Sequence, residues 1–461
     1  MNRVVSKYGL AAHLAFLAVA PLFLYPFCSE AATAKAVLWL SLVAAVWCLL
    51  SPSVRGGEPL HVARRRVLSK ILVDPLFWVS ALLALVAGVA ALNGGVKMAY
   101  DAEAAVWRLT TPFVEIFPGC VSGCGFLPFA VSVAAVVVLV GARQALGRSA
   151  RMAFLFVASA GAGLAAVVAL VAANEGSFAC RSMLAVSATK ASCFGFAMGL
   201  WFLGGIAALV TAFERRWNRA MPLFVLSVGG TALGVFAFAP PALSLLFAAG
   251  AVLLLPLAFA YLFVNVGRSS EFRFLAVLAI LLAVAVLAGA FLLPQALTAA
   301  RFDAFMTGDF LPERMFALRR TLSEIALRAW KESPWIGTGL GSFGLDVRFQ
   351  ALPADWAVLP RGIAAIPNGG WWLLAERGIA GAAFVALPFG FVLFTFGRRL
   401  VAWATQRLVV PHPGCLLLPL VLAALAASVP FDGSFLRPDA MLAAIAVAAV
   451  APKCFPKPEK R

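Results

Sequence analysis

Residues 332–344 read ESPWIGTGLGSFG, with glycines at alternate positions Gly337, Gly339 and Gly341. Arg319 and Arg320 lie shortly before this stretch and Glu376 lies after it. Arg314, Arg361, Asn368 and Trp371 belong to the same part of the chain. These residue types suit work on a phosphate. A guanidinium presents a planar fork of donors to phosphate oxygens. A glycine-rich turn can present backbone N–H groups to the same oxygens. A carboxylate can take the proton of an attacking hydroxyl. The stretch lacks the Lys-Ser/Thr of a nucleotide-binding loop and follows no strand signal, so no nucleotide is expected. A plainer reading is a tight turn where two backbones approach closely. For Arg319 and Arg320 it is a solvated helix face shared with Glu324, and for Asn368 a helix cap.

The elements that position these residues follow from composition. The chain has 461 residues, 63% of them apolar and only 12% charged. Soluble domains run near 45–50% apolar and about 25% charged. Apolar runs of about 18 residues or more, long enough to cross a bilayer as helices, recur throughout. Twelve spans are predicted, at 9–27, 34–51, 75–93, 126–142, 152–173, 191–213, 221–238, 242–264, 274–293, 380–396, 415–430 and 439–451. The N-terminal apolar segment is read as an uncleaved anchor, because a second span follows at once. The net charge of +17 does not imply nucleic acid, because its distribution marks topology. With the N-terminus inside, the tails and inner connections hold twenty-two Lys/Arg and the short outer connections six, including Lys97 and Arg108. This asymmetry predicts cytoplasmic termini and a surface that attracts anionic membrane lipid. The eight cysteines show no zinc spacing, and Cys120 and Cys124 could close a small outer disulfide.

The expected fold is therefore all-α, an inner-membrane bundle of about twelve helices with one large outer loop. Residues 1–293 form the first nine spans, 294–379 the loop, and 380–461 the last three spans and the tail. The loop has nine Lys/Arg and eight Asp/Glu, a soluble composition, and loops of such length are usually functional. Within it, LPERMFALRRTLSEIALRAWKES predicts an amphipathic helix. Leu318, Leu322, Ile325 and Ala329 form its apolar stripe, and Arg320, Glu324 and Arg328 can pair on the other face. A second helix is predicted from Asn368 through Trp371 and Trp372 to Gly378. Adjacent tryptophans suit a membrane interface or a sugar-stacking platform.

Taken in order, Arg319 or Arg320, then Pro334-Trp335-Ile336-Gly337-Thr338-Gly339-Leu340-Gly341-Ser342-Phe343, then Glu376-Arg377-Gly378-Ile379-Ala380-Gly381, resemble the O-antigen ligase and polymerase family. The motif match covers roughly 314–381. The resemblance implies a GT-C-like membrane fold and an enzyme that works on the periplasmic side of the inner membrane. It implies transfer of a glycan from an undecaprenyl-diphosphate carrier to lipid A–core, another glycan or a protein. It implies no metal, no nucleotide and no other cofactor. Arg319, Arg320 and Glu376 become candidate catalytic residues. Arg314, Arg361, Asn368, Trp371 and the three alternate glycines become candidate contacts to donor or acceptor. The chain departs from the family at two points. Pro367-Asn368 stands where the family has His-Asn, and Ala239-Pro240-Pro241 stands where it often has Ser-Arg-Gly. Two alternatives stay open: a relative that binds lipid-linked glycan or a partner without transferring it, and a transporter or flippase. Few ionisable residues fall inside the predicted spans, which disfavours an ion-coupled transporter.

Overall fold

The computed structural model describes residues 2–24, 28–50, 59–94, 97–101, 106–110, 119–120, 126–174, 188–215, 220–267, 269–293, 303, 306, 313–359, 369–404, 410–428 and 438–454. The chain begins with α1 (Asn2–Leu24), α2 (Glu30–Leu50), α3 (Leu60–Val73) and α4 (Pro75–Leu92). A hairpin of β1 (Lys97–Asp101) and β2 (Val106–Thr110) precedes α5 (Phe126–Val140), α6 (Arg148–Asn174) and α7 (Ala188–Arg215). Helix α8 is interrupted, running Met221–Phe224, a wider π turn Val225–Gly230, then Thr231–Phe238. Then come α9 (Pro241–Asn265) and α10 (Ser269–Leu292), and in the loop α11 (Glu313–Glu332) and α12 (Phe343–Gln350). The chain closes with α13 (Gly369–Ala404), α14 (Leu417–Ser428) and α15 (Pro438–Val450).

Eight of these helices, α2, α4, α5, α6, α7, α9, α10 and α13, contain segments long and apolar enough to cross a membrane. Shorter apolar segments, Tyr8–Leu24, Pro222–Phe238, Pro413–Ser428 and Ala440–Val450, occupy the four other predicted span positions. The chain is a multi-pass membrane protein built as a helix bundle. Helix α7 is its hub. Its apolar segment is wholly buried, packed against α6, α8, α9 and α15. Trp201 on α7 meets Phe154 on α6 edge-on at 6.5 Å, and Ser159 on α6 donates to the Trp201 carbonyl at 2.7 Å. Peripheral α10 turns Ile280, Val286, Leu287 and Phe291 outward, as a lipid-facing helix does. His13 on α1 stacks against Trp47 on α2, with ring centroids 5.4 Å apart.

Two elements go beyond the sequence reading. The basic connection around Arg64, Arg65 and Arg66 is helix α3, which buries Ala63, Val67 and Ile71 along one face. Arg64 donates to the Leu50 carbonyl at 2.9 Å, satisfying the C-terminal end of α2. The bundle is all-α as expected, and one short element beside it is extended. The connection after α4 is an antiparallel hairpin, with Lys97 opposite Thr110 and Asp101 opposite Val106. This connection reaches the glycine-rich stretch, because the Leu340 N–H donates to the Gly119 carbonyl at 2.9 Å. The start of α13, the end of α4 and the long loop therefore share one face of the bundle. Cys120 is buried there beside Ala90 and Leu340, and Cys124 lies outside the described residues.

Candidate functional site

The loop carries a small core of its own. Helix α11 follows the predicted helix closely, and Leu322, Ile325, Ala326 and Ala329 are buried on one face with Leu318 at its edge. They pack against Phe343 and Val347 of α12, Leu359, and Ala375 of α13. Trp371 and Trp372 join this cluster, and Trp371 lies 6.2 Å from the Trp330 ring. Both tryptophans thus serve as packing for the loop. The predicted charge ladder on α11 forms only in part. Arg320 pairs with Glu324 at 3.1 Å, both well exposed, a geometry worth about 0.3–0.5 kcal/mol. Arg328 leaves the ladder and meets Asp355 at 2.5 Å, because Asp355 comes within reach at the turn after α12.

The glycine-rich stretch docks onto a break in α13. At Gly378 the backbone leaves helical geometry, with φ 62° and ψ −171°. The break frees two carbonyls before it and two N–H groups after it. All four find partners on the turn. Thr338 N–H donates to the Ala375 carbonyl at 2.8 Å and Gly339 N–H to the Glu376 carbonyl at 3.0 Å. In return, Ile379 N–H donates to the Pro334 carbonyl at 2.9 Å and Ala380 N–H to the Trp335 carbonyl at 3.0 Å. The two backbones touch. A Cβ at Gly337 would lie 2.4 Å from the Glu376 carbonyl carbon, and one at Gly378 would lie 2.4 Å from Trp335 backbone atoms.

This docking decides what the turn can do. Every N–H from Gly337 to Phe343 is already engaged. Gly337 donates to the Ser333 carbonyl, Leu340 to Gly119 and Ser342 to Gly339. The N–H groups of Gly341 and Phe343 go to the Glu376 carboxylate, the latter at 3.4 Å. The turn is therefore a splint for the break in α13, and it has no N–H row left to cradle a phosphate. Gly337, Gly339 and Gly341, with φ of 72°, 110° and 76°, serve that turn geometry. Glu376 is only 7% exposed and also accepts a hydrogen bond from the Trp372 side chain. It latches the turn and the start of α12 to α13.

Asp346, which sequence reasoning did not single out, sits beneath the turn and is 3% exposed. Its carboxylate accepts from Thr338 Oγ1 at 2.7 Å and from Ser342 Oγ at 3.2 Å. Burial pushes its pKa up to about 7; the Thr338 and Ser342 hydroxyls oppose the rise, and nearby Glu376 and Glu332 add to it. The i, i+4, i+8 spacing of Thr338, Ser342 and Asp346 was the available signal.

Of the remaining candidates, Arg319 and Arg320 have described side chains. Arg319 is half-buried at the margin of the α11 stripe, three residues before Leu322 and seven before Ala326. Arg320 turns to solvent with Glu324. Arg314 is the second residue of α11, and its side chain is not among the described ones. Arg361 and Asn368 lie outside the described residues. Arg377, inside the Glu-x-Gly motif, is the residue that was overlooked. It lines a cleft of about 220 Å³ beneath the turn. The walls include Ala87 and Ala90 of α4, Ile336 and Leu340 of the turn, and Phe384 of α13. A neighbouring cavity of about 70 Å³ also has Arg377 in its wall, with Ser132 of α5 and Met441 of α15 beyond it. No protein-family model matches the sequence, and no curated protein matches it.

Proposed function

We propose that this protein transfers a glycan from an undecaprenyl-diphosphate carrier to a hydroxyl-bearing acceptor at the outer face of a bacterial inner membrane. The acceptor class is lipid A–core, another glycan or a protein. The reading takes the loop as periplasmic, the bundle as twelve-spanning and both termini as cytoplasmic, in line with the Lys/Arg asymmetry. The observation that carries it is the apolar cleft directly under a folded, arginine-bearing loop. A carrier with a long isoprenoid tail needs apolar cover beside the membrane. Its diphosphate needs cations at the rim.

In the transfer, an acceptor oxygen attacks C1 of the reducing-end sugar. The bond from C1 to the phosphate oxygen breaks, and the acceptor proton leaves to water or a base. The diphosphate departs with the added negative charge. The protein's contribution is to hold the diphosphate with fixed cations and the acceptor in line with the bond that breaks. Arg319, half-buried at the margin of the α11 stripe, is the loop arginine assigned to this role. Arg320 is committed to an exposed pair.

Purified protein, given a fluorescent undecaprenyl-diphosphate oligosaccharide and a panel of acceptors, tests the reading. Arg319→Ala should lower the transfer rate about 100-fold. Arg320→Ala should leave it within about twofold, as expected for an exposed ion pair. Equal losses in the two variants would remove the assignment of Arg319. A second reading is a relative that binds the carrier without transferring its glycan. Pro367 at the family's histidine position favours it. Carrier binding with no product from any acceptor would select it.

A further inference from the structure

We propose that Arg377 anchors the phosphate of an amphiphile whose chain occupies the cleft between α4 and α13. This deepens the reading above by naming the seat of a lipid, and it stands on observations of its own. Among the described residues, Arg377 makes no hydrogen bond or ion pair, yet it lines both cavities beneath the loop. Its one electrostatic neighbour is Glu376, whose carboxylate is already held by the N–H groups of Gly341 and Phe343 and by Trp372. The guanidinium thus keeps its row of N–H donors facing largely apolar walls, an arrangement completed by an anion.

The anion belongs to an amphiphile because of where the cleft lies. Next to the lining residues, Leu82 and Leu85 of α4 and Ile379 and Leu387 of α13 are exposed on the bundle's outer surface. The cleft is therefore at the lipid-facing periphery, between two helices rich in apolar residues. The backbone break serves the same end. Leaving helical geometry at Gly378 lays Arg377 over Gly381, where an added Cβ would come 2.4 Å from the Arg377 Cβ. The Glu-Arg-Gly-x-x-Gly motif thus divides its labour. Glu376 latches the turn, Gly378 makes the break, Gly381 leaves room, and Arg377 faces the cleft. A phosphate head on an apolar chain could be a polyprenyl phosphate or a bilayer phospholipid, and the two are separable.

The test is native mass spectrometry of the full-length protein in neutral detergent, titrated in separate arms with undecaprenyl phosphate, phosphatidylglycerol and uncharged undecaprenol. For wild type, one of the phosphate amphiphiles should bind at one equivalent, and undecaprenol more weakly. Arg377→Gln should weaken phosphate binding by about tenfold or more, and Arg377→Lys by less. Ala87→Trp, which fills the cleft from α4 and leaves the charge alone, should also displace the lipid. The phosphate amphiphile that responds to both positions identifies the source. Equal binding by wild type and Arg377→Gln, or unchanged binding in Ala87→Trp, would overturn the proposal. Arg377-dependent binding without glycan transfer would leave this inference standing and remove the functional one. Transfer with binding indifferent to Arg377 would do the reverse.

Discussion

Gly378→Ala should undock the glycine-rich turn from α13 while leaving the bundle folded. The native φ of 62° and ψ of −171° belong to a region open essentially to glycine alone, at a cost of about 1–3 kcal/mol for other residues. The new Cβ would also press to 2.4 Å on the Trp335 carbonyl group, which is backbone and cannot rotate aside. Relief requires separation, and separation breaks the four hydrogen bonds that splint the break, each worth about 0.5–1.5 kcal/mol net. Hydrogen exchange should report it. Amides 338–343 and 379–380 should lose protection by about 100-fold or more, corresponding to about 3 kcal/mol. Amides in α7 should keep theirs. Gly337→Ala attacks the same joint from the other side, at a φ of 72°. The double variant should therefore cost little more than either single one. Unchanged protection of the turn in Gly378→Ala would contradict the splint.

Raising the pH from about 5 to 8 should loosen the same turn, and Asp346→Asn should reduce that response. The Asp346 pKa is raised from 3.8 to about 7 by burial. The folded state therefore binds the proton more tightly than the unfolded chain does. The stabilisation is fully present below about pH 4, falls as the pH rises towards 7, and changes little above that. A shift of this size corresponds to at most on the order of 4 kcal/mol over the whole window. Asparagine keeps the shape and remains neutral, so at pH 8 the variant should protect residues 338–346 better than wild type. The difference should shrink as the pH falls, and below about pH 4 the two should be alike. Exchange rates corrected for intrinsic pH dependence make the comparison. A wild-type turn equally protected at both pH values would show that Asp346 does not titrate in this window.

Helix α11 was legible because its apolar residues repeat at helical spacing, and burial of that stripe is what holds the helix. The membrane class was legible from composition, and eight of the predicted span positions coincide with helices long and apolar enough to cross a membrane. The helix break was legible at Gly378. What the break binds was not. The docking of Pro334–Gly339 onto Ala375–Ala380 joins segments some forty residues apart, and no local pattern encodes such a pairing. The same holds for Arg328, whose partner Asp355 is brought near only by the turn after α12. Other signals were present and unused. Ala63, Val67 and Ile71 mark α3 by their i, i+4 spacing. Arg377 stands between a latch and a hinge, at the point where the charged loop meets the apolar span. A lone cation there is costly enough to have drawn notice on that ground alone.

If a carrier-linked glycan leaves its diphosphate on this protein, glycosylated acceptor and undecaprenyl diphosphate must form together. The most direct measurement follows both products at once. Wild-type protein in liposomes would receive a radiolabelled undecaprenyl-diphosphate oligosaccharide and each acceptor class, with chelator present and no nucleotide. Glycosylated acceptor and free undecaprenyl diphosphate should appear in equal amounts with one of the acceptors. An intact donor after prolonged incubation with every acceptor, on protein whose turn amides remain protected, would contradict it.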